Sequence, residues 1–408
     1  MKHVIVLGDG MSDWPVASLE GRTPLMVADK PHIDDIARRG RTGLFRTIPP
    51  GQPNGSAVAN LSVLGYDPAR VFQGRAVLEA ASMGVELAPD DVALRCNLIS
   101  VGEDGRISNH SAGHISTEEA RELIHTLDRE LGKAEARRPL TFHSGVSYRH
   151  LLVLRGDWAD PRVSCAPPHD HVGEAADDLL PDAADPAAEE TASQLRDLHL
   201  AAREILERHP INRSRAASGR QPGNWIWCWS PGRRPRMDTL QKLWGISGAV
   251  ISAVDLVMGL GYYAGMNMIR VPGATGLADT NYEGKAQACL DALEEHDLVY
   301  VHVEATDEAG HERDLELKIK CIEYLDQRLV RHLLEGLESR GIEAAVAVLP
   351  DHPTPVETGS HASDPVPVAI ARPGDEPDAV QSFDEEQVKS GALGTLEGNA
   401  FIRALIGR

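Results

Sequence analysis

Residues 344–370 read AAVAVLPDHPTPVETGSHASDPVPVAI, and this stretch decides the fold. Ala344 to Leu349 is a short unbroken apolar run rich in Val and Ala, the pattern of a strand buried on both faces. Asp351 and His352 follow at its carboxyl end, the edge at which open α/β sheets bind ligands. Pro353 and Pro355 stop the strand and stiffen the loop. His361 and a second apolar segment, Val366 to Ile370, come next. A carboxylate and two imidazoles around a rigid turn form a plausible donor set for a divalent metal.

Two other strand ends share this form. Leu298 to Val303 is a buried run followed by Asp307 and His311, four residues apart. On a helical turn that spacing puts both side chains on one face, where they can grip one ion. The plainer alternative is an ordinary surface pair on a helix. Val4 to Leu7 is a third buried run, and Asp9 follows it. Right-handed crossovers between parallel strands bring all three ends to one edge. The spacing also predicts helices over Pro31–Arg39 and about Asp314–Glu338, the latter with an apolar stripe from Leu315 to Leu333.

Gly51 to Pro68, GQPNGSAVANLSVLGYDP, places Ser56 at the start of a helix. There the dipole and free N–H groups favour phosphate, although an N-cap serine is equally ordinary. A serine hydroxyl becomes a useful nucleophile only beside a base or metal. The ligand residues of two strand ends, with Asp9 and His361, suit two divalent metals better than one, and such metals would lower the pKa of Ser56.

Between these stretches the sequence predicts a helix over Thr117–Leu131, with Thr117 as its cap and Glu118 and Glu119 as early negative charge. His114 and His143 fall in polar turns. Glu174 to Glu190 reads as an exposed acidic segment, followed by a helix over Ala192–Arg208. Trp225 to Trp229, WIWCW, reads as a strand ending in the turn Ser230-Pro231-Gly232-Arg233-Arg234-Pro235, whose arginines could fork a phosphate. The formal charge of −20 argues against a nucleic-acid or anionic-membrane partner. The five scattered cysteines read as reduced thiols of a cytoplasmic protein. The N-terminal apolar run is too short for a signal peptide, and Gly248–Met266 reads as buried helix and strand, not a membrane span.

Together, VIVLGDGMSD at 4–13, NGSAVANLSVLGYDP at 54–68, VHVEATDEAGH at 301–311, LPDH at 349–352 and SHASDPVP at 360–367 resemble the archaeal type of cofactor-independent phosphoglycerate mutase, within the alkaline phosphatase superfamily. The resemblance runs over nearly the whole chain. It implies an α/β phosphatase-like core with a mostly parallel sheet, formed by residues 1–72 and 236–408. A smaller α+β domain, residues 73–235, would be inserted to cap the substrate. Ser56 would be the nucleophile. One metal would sit on Asp307, His311 and His361, the other on Asp9, Ser56, Asp351 and His352. His114, Arg149, Asp170 and Arg234 would contact substrate. The implied reaction is interconversion of 3- and 2-phosphoglycerate through phosphoserine, with two divalent ions (Mn²⁺, Zn²⁺, Mg²⁺ or Co²⁺) and without 2,3-bisphosphoglycerate. Related phosphotransfer (a phosphatase or a homoserine kinase) and a non-enzymatic phospho-ligand binder are the alternatives. The family pattern carries an acidic residue after the nucleophile, where this chain has Ala57.

Overall fold

The computed structural model describes residues 1–132 and 138–408. They divide into two compact units, Met1–Phe72 with Arg236–Arg408, and Gln73–Pro235.

The first unit is built on an eight-stranded sheet. Its strands are β1 (Lys2–Gly8), β2 (Arg41–Phe45), β3 (Gly248–Ile251), β4 (Asn267–Ile269), β5 (Leu298–Val303), β6 (Ala344–Leu349), β7 (Val366–Ala371) and β8 (Gly394–Leu396). Their order across the sheet is β4-β3-β5-β1-β6-β7-β2-β8. Only β7 runs antiparallel to its neighbours. The apolar runs at 4–7, 298–303 and 344–349 are therefore the three central adjacent strands, in parallel register from His3↔Leu298 and Lys2↔Ala344 onward. Strand alternation sends Val4 and Val6 into a core with Ile33, Ile36, Leu293, Leu325 and Leu333. Tyr300 and His302, fully buried on β5, point to the other face.

The helix expected over Pro31–Arg39 forms with those bounds. The long helix expected to run from Asp314 spans Leu315 to Arg340, and its middle, Leu325–Val330, is a π-helical turn. The turn has a structural use. Buried Asp326 accepts the backbone N–H groups of His32 and Ile33 at 2.9 and 2.7 Å, satisfying free donors at the start of the 31–39 helix.

The second unit is α+β. A long strand, Val92–Val101, pairs antiparallel with Arg149–Leu154 and with Trp225–Arg233, while Leu140–His143 extends the sheet. Helices Thr117–Leu131 and Glu189–Arg208 pack on one face through Leu123, Leu127, Leu195 and Leu198.

Several local expectations need correction. The 117–131 helix is capped by Ser116, which accepts from Glu119 N, and not by Thr117. His143 lies in a strand, half-buried, rather than in a turn. The acidic stretch 174–190 is not uniformly exposed: it folds into 3-10 turns and a short strand that bury Ala176 and Ala188. The strand expected to end at Trp229 runs on to Arg233, because a register shift between Ala93 and Arg95 absorbs Pro231. Arg233 is thereby drawn in, and its Nη2 donates to Ala159 O at 2.6 Å.

All five cysteines are free. No helix among the described residues is long and apolar enough to cross a membrane.

One wholly buried cation ties the loops at the strand ends. Lys318 Nζ donates to Ser12 O at 3.0 Å, Asp13 Oδ2 at 2.7 Å and Thr354 O at 2.8 Å. Removing one partner of a buried ion pair strands the other. We expect Lys318→Met to lower core stability by about 3–5 kcal/mol in urea unfolding. A loss below about 1 kcal/mol would contradict this.

Candidate active site

The carboxyl ends of β1, β5 and β6 carry the candidate ligand residues. Asp9 follows β1 directly. Asp307 and His311 lie on the short helix Ala305–His311 after β5, and Asp351 and His352 follow β6. Asp9, Asp307, Asp351 and His352 are all buried. Gly10, at φ +60°, lets the β1 turn fit beneath them: a Cβ there would lie 2.5 Å from Asp307 Oδ1.

Two donor groups result. In the first, Asp307, His311 and His361 place one ligand atom each within 4.8 Å of the others. His311 Nε2 lies 3.1 Å from Asp307 Oδ2 and 2.9 Å from His361 Nε2. His311 Nδ1 sits 2.9 Å from Gly359 O, so it carries a hydrogen, and loss of the second proton from Nε2 would turn that atom into a lone-pair donor. In the second, Asp9, Asp351 and His352 meet the same span. His352 Nε2 is 3.6 Å from Asp9 Oδ1 and 3.5 Å from Asp351 Oδ2. The rings of His352 and His361 lie 4.1 Å apart, so the two groups adjoin.

Ser56 completes the cluster. It opens the helix Ser56–Val63, with Gly55 as the N-cap, and its Oγ is 3.2 Å from His352 Nε2. Burial holds His352 below the usual imidazole range.

Supporting hydrogen bonds fix the carboxylates. Asp351 Oδ1 accepts from Gly10 N at 3.1 Å and from His352 N at 2.9 Å. Asp351 Oδ2 accepts from Asn60 Nδ2 at 3.0 Å, and Tyr300 in turn donates to Asn60 Oδ1. His302 Nε2 is 2.8 Å from Asp9 Oδ2, and His302 Nδ1 is 3.1 Å from Ser252 Oγ. Asp9, His302 and Glu304 also converge within 4.8 Å. Because both ring nitrogens of His302 already have partners, we read this trio as support for Asp9. Lys285 Nζ, fully buried, donates to His302 O at 2.9 Å beneath it.

The electrostatics fit cation binding. Burial, then the charges of Asp351, Glu304 and Asp307, push the Asp9 carboxyl well above its usual range. Asp9 Oδ1 is buried and accepts no hydrogen bond. Burial raises Glu304 to about 8. Burial also opposes ionisation of Asp307, yet hydrogen bonds from His311 and His361 outweigh it and hold that carboxyl well below its usual range. The Asp307 hydrogen bond raises His311 to about 9. Concentrated buried negative charge, an orphaned carboxylate oxygen and two facing imidazole nitrogens suit divalent cations.

The remaining sequence-selected residues lie in the second unit. The rings of His114 and Tyr148 are 6.3 Å apart, and the Arg149 guanidinium lies 5.1 Å from the Tyr148 ring. Asp170 is 3.6 Å from His169 Nε2. Arg234 is exposed just beyond the strand ending at Arg233. The structure adds residues the sequence did not single out. His110 lies 6.1 Å from Tyr148 and 6.4 Å from His169. Arg95 lies 4.2 Å from the Trp229 ring. Burial, and then the neighbouring His169, His114 and Arg149, lower His110. In the first unit Asn60, Tyr300, His302 and Lys285 were likewise missed. Only the two polar side chains that interrupt the apolar run Leu298–Val303 hinted at Tyr300 and His302.

Fold and site together define an α/β protein with a mostly parallel core sheet whose strand ends gather candidate metal-donor groups around a serine. A family model described as 2,3-bisphosphoglycerate-independent phosphoglycerate mutase matches residues 37–212. A protein of that name from Methanosarcina acetivorans is 51% identical over 100% of both chains. One from Geobacter sulfurreducens, named a probable member, is 46% identical, again over 100% of both. Among solved structures, a Pyrococcus horikoshii protein superimposes with a TM-score of 0.83 at 28% identity, covering 100% of this chain and 96% of that one. The cofactor-independent phosphoglycerate mutase from Thermoplasma acidophilum does so with 0.71 at 29%, covering 100% and 99%. The chain belongs to the 2,3-bisphosphoglycerate-independent phosphoglycerate mutase family.

Two outcomes follow from the site. Asn60→Ala removes the donor that fixes Asp351, and should weaken Mn²⁺ binding by about 10–100-fold in calorimetry; unchanged affinity would refute the supporting role. A metal held by His311 would also have to displace the proton that this ring, raised to about 9, carries. Affinity should therefore climb as pH rises from 6 towards 9, by up to about tenfold per unit for that proton. A flat profile would contradict it.

Proposed function

We propose that the chain interconverts 3-phosphoglycerate and 2-phosphoglycerate through a phosphoserine at Ser56, with two divalent metal ions bound. The observation that carries this reading is the placement of Ser56 Oγ, at a helix start and 3.2 Å from His352 Nε2, beside two adjoining donor groups. Asp307, His311 and His361 would hold one ion, and Asp9, Asp351, His352 and Ser56 the other. Mn²⁺, Zn²⁺, Mg²⁺ and Co²⁺ all match these oxygen and imidazole donors. When bound, the ions supply Lewis-acid charge that lowers the Ser56 pKa and neutralises phosphoryl oxygens.

The protein's part is positioning. Ser56 Oγ forms the new bond to phosphorus as the bond to the substrate's 3-oxygen breaks. That oxygen takes up the proton the serine has given up. The 2-hydroxyl oxygen then attacks the phosphoserine, its proton returns to Ser56, and no 2,3-bisphosphoglycerate is required. Backbone N–H groups at the start of the 56–63 helix favour the phosphoryl oxygens. From the inserted unit we assign substrate contacts to His114, Arg149, Asp170 and Arg234, with His110 and His169 beside them. The imidazoles and guanidiniums suit the phosphate and carboxylate, and Asp170 can accept from a glycerate hydroxyl. Retaining glycerate while it turns separates a mutase from a phosphatase. Free cysteines accord with a cytoplasmic setting.

An enolase-coupled assay with Mn²⁺ present should show turnover, and mass spectrometry should find phosphate on Ser56. Ser56→Ala should lower kcat by about four orders of magnitude. Release of free phosphate, or ATP-dependent phosphorylation of homoserine, in place of turnover would overturn the mutase reading. Full ligand affinity with no phosphoserine would leave a binder.

A further inference from the structure

The amino-terminal edge of the core sheet, opposite the metal-ligand edge, carries a different charge pattern. β2 opens with Arg41, which pairs with Ile370 of β7. Arg372 lies two residues beyond Ile370, so the strand repeat turns it to the same face as Arg41. The helix Ala400–Ile406 adds Arg403 in its last turn, and Arg408 follows. Gly407, at φ +72°, lets that helix end approach closely: a Cβ there would fall 1.9 Å from Arg372 Nη1.

These four arginines line a cavity of about 210 Å³, and one carboxylate, Asp375, lines it with them. Among the described residues none of the four guanidiniums makes an ion pair or a hydrogen bond. Elsewhere on the same unit arginines are matched with acids: Arg39 with Asp35, Arg328 with Glu283, and Arg340 with Asp291. In a chain of net charge −20, four uncompensated guanidiniums around one hollow are the exception. The adjacent helix carboxyl terminus supplies only about half a negative charge, and Asp375 at most one. The balance is left positive, and the like charges repel until an anion enters.

We propose that this cavity is a binding site for a small phosphate-bearing anion, separate from the catalytic centre. Guanidinium forks match phosphate oxygens in pairs, and several converging on one hollow favour phosphate over a single carboxylate. At about 30 Å³ per water the volume corresponds to roughly seven waters, enough for a phosphate group and part of its carrier. The strand lengths between the two sheet edges keep this site apart from Ser56.

The test titrates the metal-loaded protein with inorganic phosphate at constant ionic strength, with chloride as balance. Calorimetry should count one phosphate fewer per chain in Arg372→Gln/Arg403→Gln than in the wild type. The double variant's kcat/KM for phosphoglycerate should stay within about twofold. Should that variant fold poorly, Arg408→Gln, at the exposed end, should bind phosphate at this site at least threefold more weakly. Equal stoichiometry and affinity in wild type and variants, or no phosphate bound outside the catalytic centre of the wild type, would overturn the proposal.

Discussion

The structure turns on the crowding of buried negative charge at the ends of three adjacent strands. Asp9, Asp307 and Asp351 are withdrawn from water, with Glu304 close by, and burial first, then their mutual repulsion, shifts Asp9 upward. An isolated buried carboxylate costs several kcal/mol. The fold bears the cost by giving almost every oxygen a donor: Gly10 N, His352 N and Asn60 to Asp351, Thr354 and His311 to Asp307, His302 to Asp9. Asp9 Oδ1 is left over. A divalent cation bound there would satisfy it, and ion binding and local stability would then share one free energy.

The scaffold makes this possible through strand alternation. On β5, Val299 and Val301 feed the apolar core. Tyr300 and His302 on its other face reach Asn60 and Asp9. One strand thus serves packing on one side and ligand orientation on the other. Lys318 does comparable work below the loops, where burial and three acceptors hold the turns after β1 and β6 together.

Much of this was legible in the sequence. The runs at 298–303 and 344–349 mark strands with those bounds, because every position is buried or nearly so on both faces. Asp307 and His311 share a helical turn as their spacing demands. Other features were not legible, and the reasons are physical. His302 looked like a polar break in an apolar run, since its partners Asp9 and Ser252 are distant in sequence. Asp326 sits within a helical stripe, and only the π turn reveals that it caps another helix. The strand through Pro231 and Gly232 reads locally as a turn, and pairing with Val92 and Ala93 overrides that reading. The arginine cavity joins positions 41, 372, 403 and 408, which no local pattern connects.

The central claim is that the strand ends form two adjoining cation sites facing Ser56. Anomalous diffraction from Mn²⁺-loaded crystals addresses it most directly. The account predicts two peaks per chain, one among Asp307, His311 and His361, the other among Asp9, Asp351, His352 and Ser56. Peaks elsewhere, or none at these side chains, would contradict it.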